Sequence, residues 1–142
     1  MLSRFTVISL IVFTLFSCTQ STDYSSHDLS SGWSYEDVVQ FNLDEDQQAN
    51  EIEIIVNHDM GYTYENLYLK LDLTDGKKIL SDTISIPLSD DKGLWKSNCL
   101  GTDCLLRFSY TYAGKKISSL VIAQFSRQET LDGINTIGIN LK

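Results

Sequence analysis

Asn66-Leu67-Tyr68-Leu69-Lys70-Leu71-Asp72-Leu73-Thr74 is the stretch that decides the fold. Four leucines alternate with polar or amphipathic residues, and a period of two is resolved only by an extended chain, whose successive side chains point to opposite faces. One face is then all leucine and the other is wettable, the signature of a half-buried strand. The same alternation extends outward in both directions. Upstream, Ile52, Ile54 and Val56 alternate with Glu51, Glu53 and Asn57, and Val39, Phe41 and Leu43 form a further row. Downstream, Leu106, Phe108, Tyr110 and Tyr112 alternate with Arg107, Ser109 and Thr111, and Ile137, Ile139 and Leu141 close the chain. Turn residues separate these runs at Asp59 to Gly61, Asp75-Gly76, Asp90 to Gly93, Ala113-Gly114 and Asp132-Gly133. No segment has the 3.6-residue period of an amphipathic helix. The expectation is an all-β chain, a β-sandwich of about eight strands with Greek-key or jelly-roll connections. Pro87, the single proline, falls at a strand end, where it is compatible with an edge. Trp33 and Trp95 are assigned to sealing the core.

The N-terminus obeys different rules. Arg4 gives a positive start, Phe5 to Thr14 are almost all apolar, and Leu15-Phe16-Ser17-Cys18 places a small residue before a cysteine. The apolar run is shorter than the roughly 20 residues that span a bilayer, so it reads as a cleaved leader of lipoprotein type. Residues 1–17 are the expected signal peptide, and Cys18 is the expected site of lipidation with palmitate-type acyl chains. Residues 18–31, rich in Ser, Thr and Asp, are expected to form a flexible spacer, and residues 32–142 a single domain. The whole chain of 142 residues has a net charge of −8; loss of Arg4 leaves 10 basic against 19 acidic residues, or −9. An acidic surface repels phosphate backbones, so nucleic acid is not an expected partner.

Chemical motifs are few. Cys99 and Cys104, in Cys-Leu-Gly-Thr-Asp-Cys, are expected to pair as a disulfide in an exported chain, with metal binding the alternative. His27 and His58 are not spaced to complete a four-ligand site, and no metal or other cofactor is expected. Asp72 to Gly76 and Asp44-Glu45-Asp46 admit a calcium reading, though acidic residues are common in hairpin turns. A Ser-His-Asp site built on His58 stays open against the plainer reading of a solvated histidine at a strand end. With no phosphate loop and no nucleophile elbow, an enzyme is not expected. Tyr62, Tyr64 and Tyr68 share the parity of Asn66 and Lys70, so an unbroken strand turns them away from the leucines. Aligned exposed aromatics suit a protein interface or a sugar-stacking surface; cross-strand packing on the outer face is the other reading. Tyr62, Tyr64, Asn66, Tyr68 and Trp95 are the candidate partner or glycan contacts.

Taken in order, several segments resemble the GldH family of gliding-motility lipoproteins. They are Gly32-Trp33, Glu36-Asp37 and Phe41; Asn57 and Tyr64-Glu65-Asn66-Leu67-Tyr68-Leu69; Asp82-Thr83 and Leu88 to Trp95; and Gln124, Arg127, Leu131-Asp132-Gly133-Ile134 and Ile137-Gly138-Ile139. The resemblance implies an envelope lipoprotein of Bacteroidetes-type bacteria, needed for gliding over surfaces and working beside other gliding and type IX secretion proteins. It implies a membrane anchor through the N-terminal lipid, a domain facing the periplasm, and no catalytic residues. A glycan-binding envelope lipoprotein is the alternative.

The anchor reading makes Cys18→Ser decisive. The variant is expected to accumulate uncleaved or to leave the membrane; fractionation that recovers it in the membrane at mature size refutes the assignment.

Overall fold

Leu67, Leu69, Leu71 and Leu73 are all buried, whereas Tyr68 and Lys70 between them face solvent, so the leucine row is the core face of a strand. The computed structural model describes residues 24–43, 50–112 and 116–142. Residues 1–23, with the expected leader and Cys18, lie outside them, as do Asp44-Glu45-Asp46 of the calcium reading. Eleven strands make up the described chain: β1 Ser25–Asp28, β2 Trp33–Ser34, β3 Val38–Asn42, β4 Glu51–Asp59, β5 Asn66–Thr74, β6 Ile79–Pro87, β7 Asn98–Leu100, β8 Asp103–Thr111, β9 Ser119–Gln124, β10 Thr130–Leu131 and β11 Ile134–Leu141. One sheet has the order β1-β11-β4-β8-β7 and the other β3-β9-β5-β6, with β10-β2 as a small third pair. Every pairing is antiparallel.

Leaving out the short β2, β7 and β10, eight strands remain. In chain order they lie first, eighth, third, sixth in one sheet and second, seventh, fourth, fifth in the other. That arrangement is the jelly roll, one of the two connection types compatible with the sequence. Leucines of β5 face inward with Phe41, Leu120, Ile122 and Ile86 of their own sheet, against Ile52, Ile54, Val56, Ile137 and Ile139 of the other. Trp33 closes the core from one end, its indole donating to the Asp37 carbonyl at 3.0 Å. At the side where β8 faces β6, the Tyr110 hydroxyl donates to Asp82 at 2.8 Å and ties the two sheets together. Pro87 ends β6, an outer strand, where its missing N–H costs no ladder bond.

β4 lies inside its sheet, and both of its faces are covered, so Ile55 and Glu53 are buried along with the expected Ile52, Ile54 and Val56. The Glu53 carboxylate is matched by Lys142 at 2.7 Å and Arg107 at 3.0 Å. Lys142, foremost among its hydrogen-bond partners, holds the Glu53 carboxyl below the usual carboxylate range.

One boundary differs from the expectation. Residues 18–31 were assigned to spacer on composition, but Ser25–Asp28 form β1 against β11, and Leu29 enters the core. The reason is physical: an exposed edge strand needs main-chain partners on one side only and carries the same polar side chains as a linker. β1 gives the β11 backbone a full ladder, and His27 packs edge-on against Phe41 with ring centroids 5.0 Å apart. Trp95, expected in the core, is only partly buried at its margin.

Truncating the leucine row tests this layout. Leu71→Ala is expected to cost about 3 kcal/mol, the usual penalty for opening a cavity in a sealed core, while Tyr68→Ala on the opposite face stays near neutral. Denaturant titration of the two variants reads the difference.

A candidate binding cleft

β5 begins at Asn66 and not at Tyr62, and the residues before it do not continue the strand's parity. A turn closes where the Tyr62 N–H donates to the Asp59 carbonyl at 3.0 Å, and Tyr62 swings inward to 5 % exposure. Its expected place on the outer face is therefore corrected: the ring lies below the surface, against Gly133. That glycine has φ 87°, and a Cβ there would meet the Tyr62 ring at 3.3 Å, so both backbone and space require its lack of a side chain. Burial, and then the neighbouring Tyr64, raise the Tyr62 phenol well above its ordinary pKa.

Tyr64 and Tyr68 remain 41 % and 45 % exposed and form one wall of an open cleft of about 670 Å³. The opposite wall is the connection from β9 to β10, carrying Phe125, Ser126, Arg127 and Gln128; Tyr62, Asn66 and Leu131 complete the lining. Gln124 shapes this wall from beneath. Its buried side chain donates to the Trp33 carbonyl at 3.1 Å and the Gln128 carbonyl at 3.2 Å, and its amide oxygen accepts from Ser126. The Phe125 N–H donates to the Tyr68 carbonyl at 2.8 Å and fixes the two walls to each other. The cleft thus combines three exposed aromatic rings with the Arg127 cation and the side-chain amides of Asn66 and Gln128.

Four of the five candidate contacts, Tyr62, Tyr64, Asn66 and Tyr68, line this one cleft. Trp95 does not; it lies on the far side of His58, 4.7 Å from it between ring centroids. His58 in turn is 6.0 Å from Tyr62, and Tyr62 is 5.6 Å from Tyr64, so a continuous aromatic row leads from the Trp95 loop to the cleft wall. That loop is built by Asp90, whose carboxylate accepts from the N–H groups of Lys92 and Leu94, and by Cys99 and Cys104, which the structure joins as a disulfide. The two cysteines face each other across the β7–β8 ladder.

His58 is not a solvated strand-end histidine, as expected from sequence, but fully buried. Its Nδ1 lies 2.9 Å from the Asp59 carbonyl and its Nε2 2.7 Å from the Ser97 hydroxyl. A carbonyl only accepts, so Nδ1 carries the proton and Nε2 accepts from Ser97. The third position of a Ser-His-Asp array is thus filled by a main-chain carbonyl. Desolvation lowers the His58 pKa, partly opposed by the Asp59 carbonyl and carboxylate. The calcium reading of Asp72 to Gly76 is also answered locally: Asp72 pairs with Lys70 and Ser81, and Asp75 caps its turn through the N–H groups of Lys77 and Lys78. Among the described residues, no three His, Cys, Asp or Glu side chains gather to hold a metal ion.

Strand alternation marks Tyr68, and reaches Tyr64 only if β5 is extended beyond its start, but no periodic signal marks Phe125 to Gln128 as their facing wall. Gln124 and Arg127 entered only through the family resemblance. In comparison with known proteins, the family described as GldH lipoprotein matches residues 22–141. No curated protein and no solved structure matches the chain.

The buried histidine predicts an acid-sensitive fold. Its folded pKa lies below the ordinary 6.5, so between the two values the unfolded chain binds more protons and stability falls as the pH is lowered. The unfolding midpoint is expected to drop from about pH 7.5 to about pH 5.5, and His58→Gln to flatten that slope; an unchanged slope in the variant refutes the assignment.

Proposed function

Because the chain belongs to the GldH lipoprotein family, we propose that it is a non-enzymatic, lipid-anchored component of the cell envelope that assembles with other gliding-motility and type IX secretion proteins. On this reading Cys18 carries the lipid, the domain faces the periplasm, and the cleft between Tyr64, Tyr68, Phe125 and Arg127 is where a partner protein binds. One observation supports the site above others: the exposed aromatics converge from two separate segments on one cleft, with an arginine beside them. Aromatic and arginine side chains supply most of the binding energy at protein interfaces, because each buries much area for few rotatable bonds or makes several directed hydrogen bonds.

A second reading draws on the same walls. Rings flanked by Asn66, Arg127 and Gln128 suit a glycan, whose apolar faces stack on tyrosine while its hydroxyls meet amides and a cation. The two readings part on what the cleft retains.

The combined variant Tyr64→Ala with Tyr68→Ala removes exposed rings and is expected to leave thermal unfolding near wild type. Crosslinking in intact cells followed by affinity purification is expected to lose its gliding and secretion partners, with affinity down by at least about tenfold. Unchanged partner recovery and motility refute the site; wild-type binding to immobilised envelope polysaccharide, lost in the variant, supports the glycan reading.

A further inference from the structure

The two ends of the sandwich differ in charge and in what they expose. Beside the cleft, the connecting loops carry Glu36, Asp37, Glu65, Asp90, Asp91 and Asp132 against Lys92, Lys96 and Arg127. At the opposite pole the β5–β6 turn carries Lys77 and Lys78, and the β8–β9 connection carries Lys116. Between them opens another pocket of about 300 Å³, lined by Leu73, Ile117, Tyr112, Lys78 and Lys116 with the single carboxylate of Asp75, which caps its own turn through the Lys77 and Lys78 N–H groups. On its rim Ile79 and Leu80 are 69 % and 55 % exposed, an uncommon state for two consecutive branched apolar residues. Hydrogen bonds hold the pole together: the Ser118 N–H donates to the Thr74 carbonyl at 2.7 Å, and the Asn50 N–H to the Lys142 carbonyl at 3.0 Å. β3 also ends at this pole, the Leu43 N–H donating to the Ser118 carbonyl at 2.9 Å, and the acidic run Asp44 to Asp46 that follows it lies outside the described residues.

The described chain also begins toward this pole. Ser25 pairs with Ile139 near the end of β11, and the Tyr24 ring lies over Gly138. Six residue steps separate Tyr24 from Cys18, a reach of at most about 20 Å even when fully extended. A lipid on Cys18 therefore holds the lysine-bearing, apolar pole within contact distance of the bilayer surface.

We propose that this pole is a membrane-docking surface: Ile79 and Leu80 enter the headgroup region, Lys77, Lys78 and Lys116 pair with anionic phospholipid phosphates, and the cleft is held facing away from the membrane. The proposal rests on the Cys18 anchor of the reading above. Charge and apolar area act together here as they do in peripheral membrane proteins, where basic side chains near an anionic surface add to the anchoring of an acyl chain. The acidic loops around the cleft are repelled by the same surface, so attraction and repulsion select one orientation.

The test uses the mature lipidated chain in phosphatidylglycerol-containing vesicles. Flotation reports the anchor. An environment-sensitive dye at Ile79→Cys or Tyr64→Cys reports the pole, Cys99 and Cys104 being engaged in their disulfide. Docking requires a blue-shifted dye at position 79 and several-fold weaker iodide quenching there than at position 64. The combined Lys77→Glu, Lys78→Glu and Lys116→Glu variant, or vesicles of phosphatidylcholine alone, should remove that protection while flotation persists. A chain that does not float overturns the anchor and the docking with it. A floating chain equally quenched at both positions, or protected at position 64, overturns the docking alone.

Discussion

Burial of one leucine face against one isoleucine face is the constraint from which the rest of this structure follows. β5 presents Leu67, Leu69, Leu71 and Leu73 on one side only, and β4 with β11 presents Ile52, Ile54, Ile137 and Ile139 to meet them. A strand with a single apolar side has to lie in the outer layer of a two-layer stack, with its polar side in water. Fixing that side fixes the cleft as well, because Asn66 and Tyr68 project from the same strand in the opposite sense. Cleft wall and core are two faces of one element.

The cleft owes its shape to a buried amide. Gln124 is the last residue of β9 and points into the core row, where an unpaired amide would be costly. Its carbonyl and amino groups are matched by Ser126, Trp33 and Gln128. Satisfying this one side chain folds Phe125 to Gln128 back over the end of the sheet and brings them opposite the tyrosines. The wall is thus organised by a hydrogen-bond requirement in the interior and not by contacts within the cleft itself, so its shape is preformed.

How much of this was legible in the residues varies with the kind of signal. Period-two alternation located β3, β4, β5, β8 and β11 and their inward faces, since burial on one side leaves a trace in every second residue. It failed for β1, whose four residues are exposed throughout and so carry no alternation. It misplaced Tyr62, because parity is lost once the chain turns before Asn66. His58 was invisible for another reason: its partners are a carbonyl and a serine 39 positions away, and neither leaves a local pattern. The loop from Phe125 to Gln128 shares that difficulty, since only the fold brings it to Tyr64 and Tyr68.

The bond between Cys99 and Cys104 joins facing residues of β7 and β8 and encloses only a tight turn through Gly101. So small a ring removes little freedom from the unfolded chain, and its contribution to global stability is correspondingly modest. Its effect falls on the boundary of the sheet. β7 is three residues long, and fastening it keeps the matching part of β8 covered, where an open row of amide and carbonyl groups would invite a strand from another molecule. The bond therefore acts locally, pinning a three-residue strand over Asp103, Cys104 and Leu105 at the margin of the sheet, while β8 continues past it to Thr111.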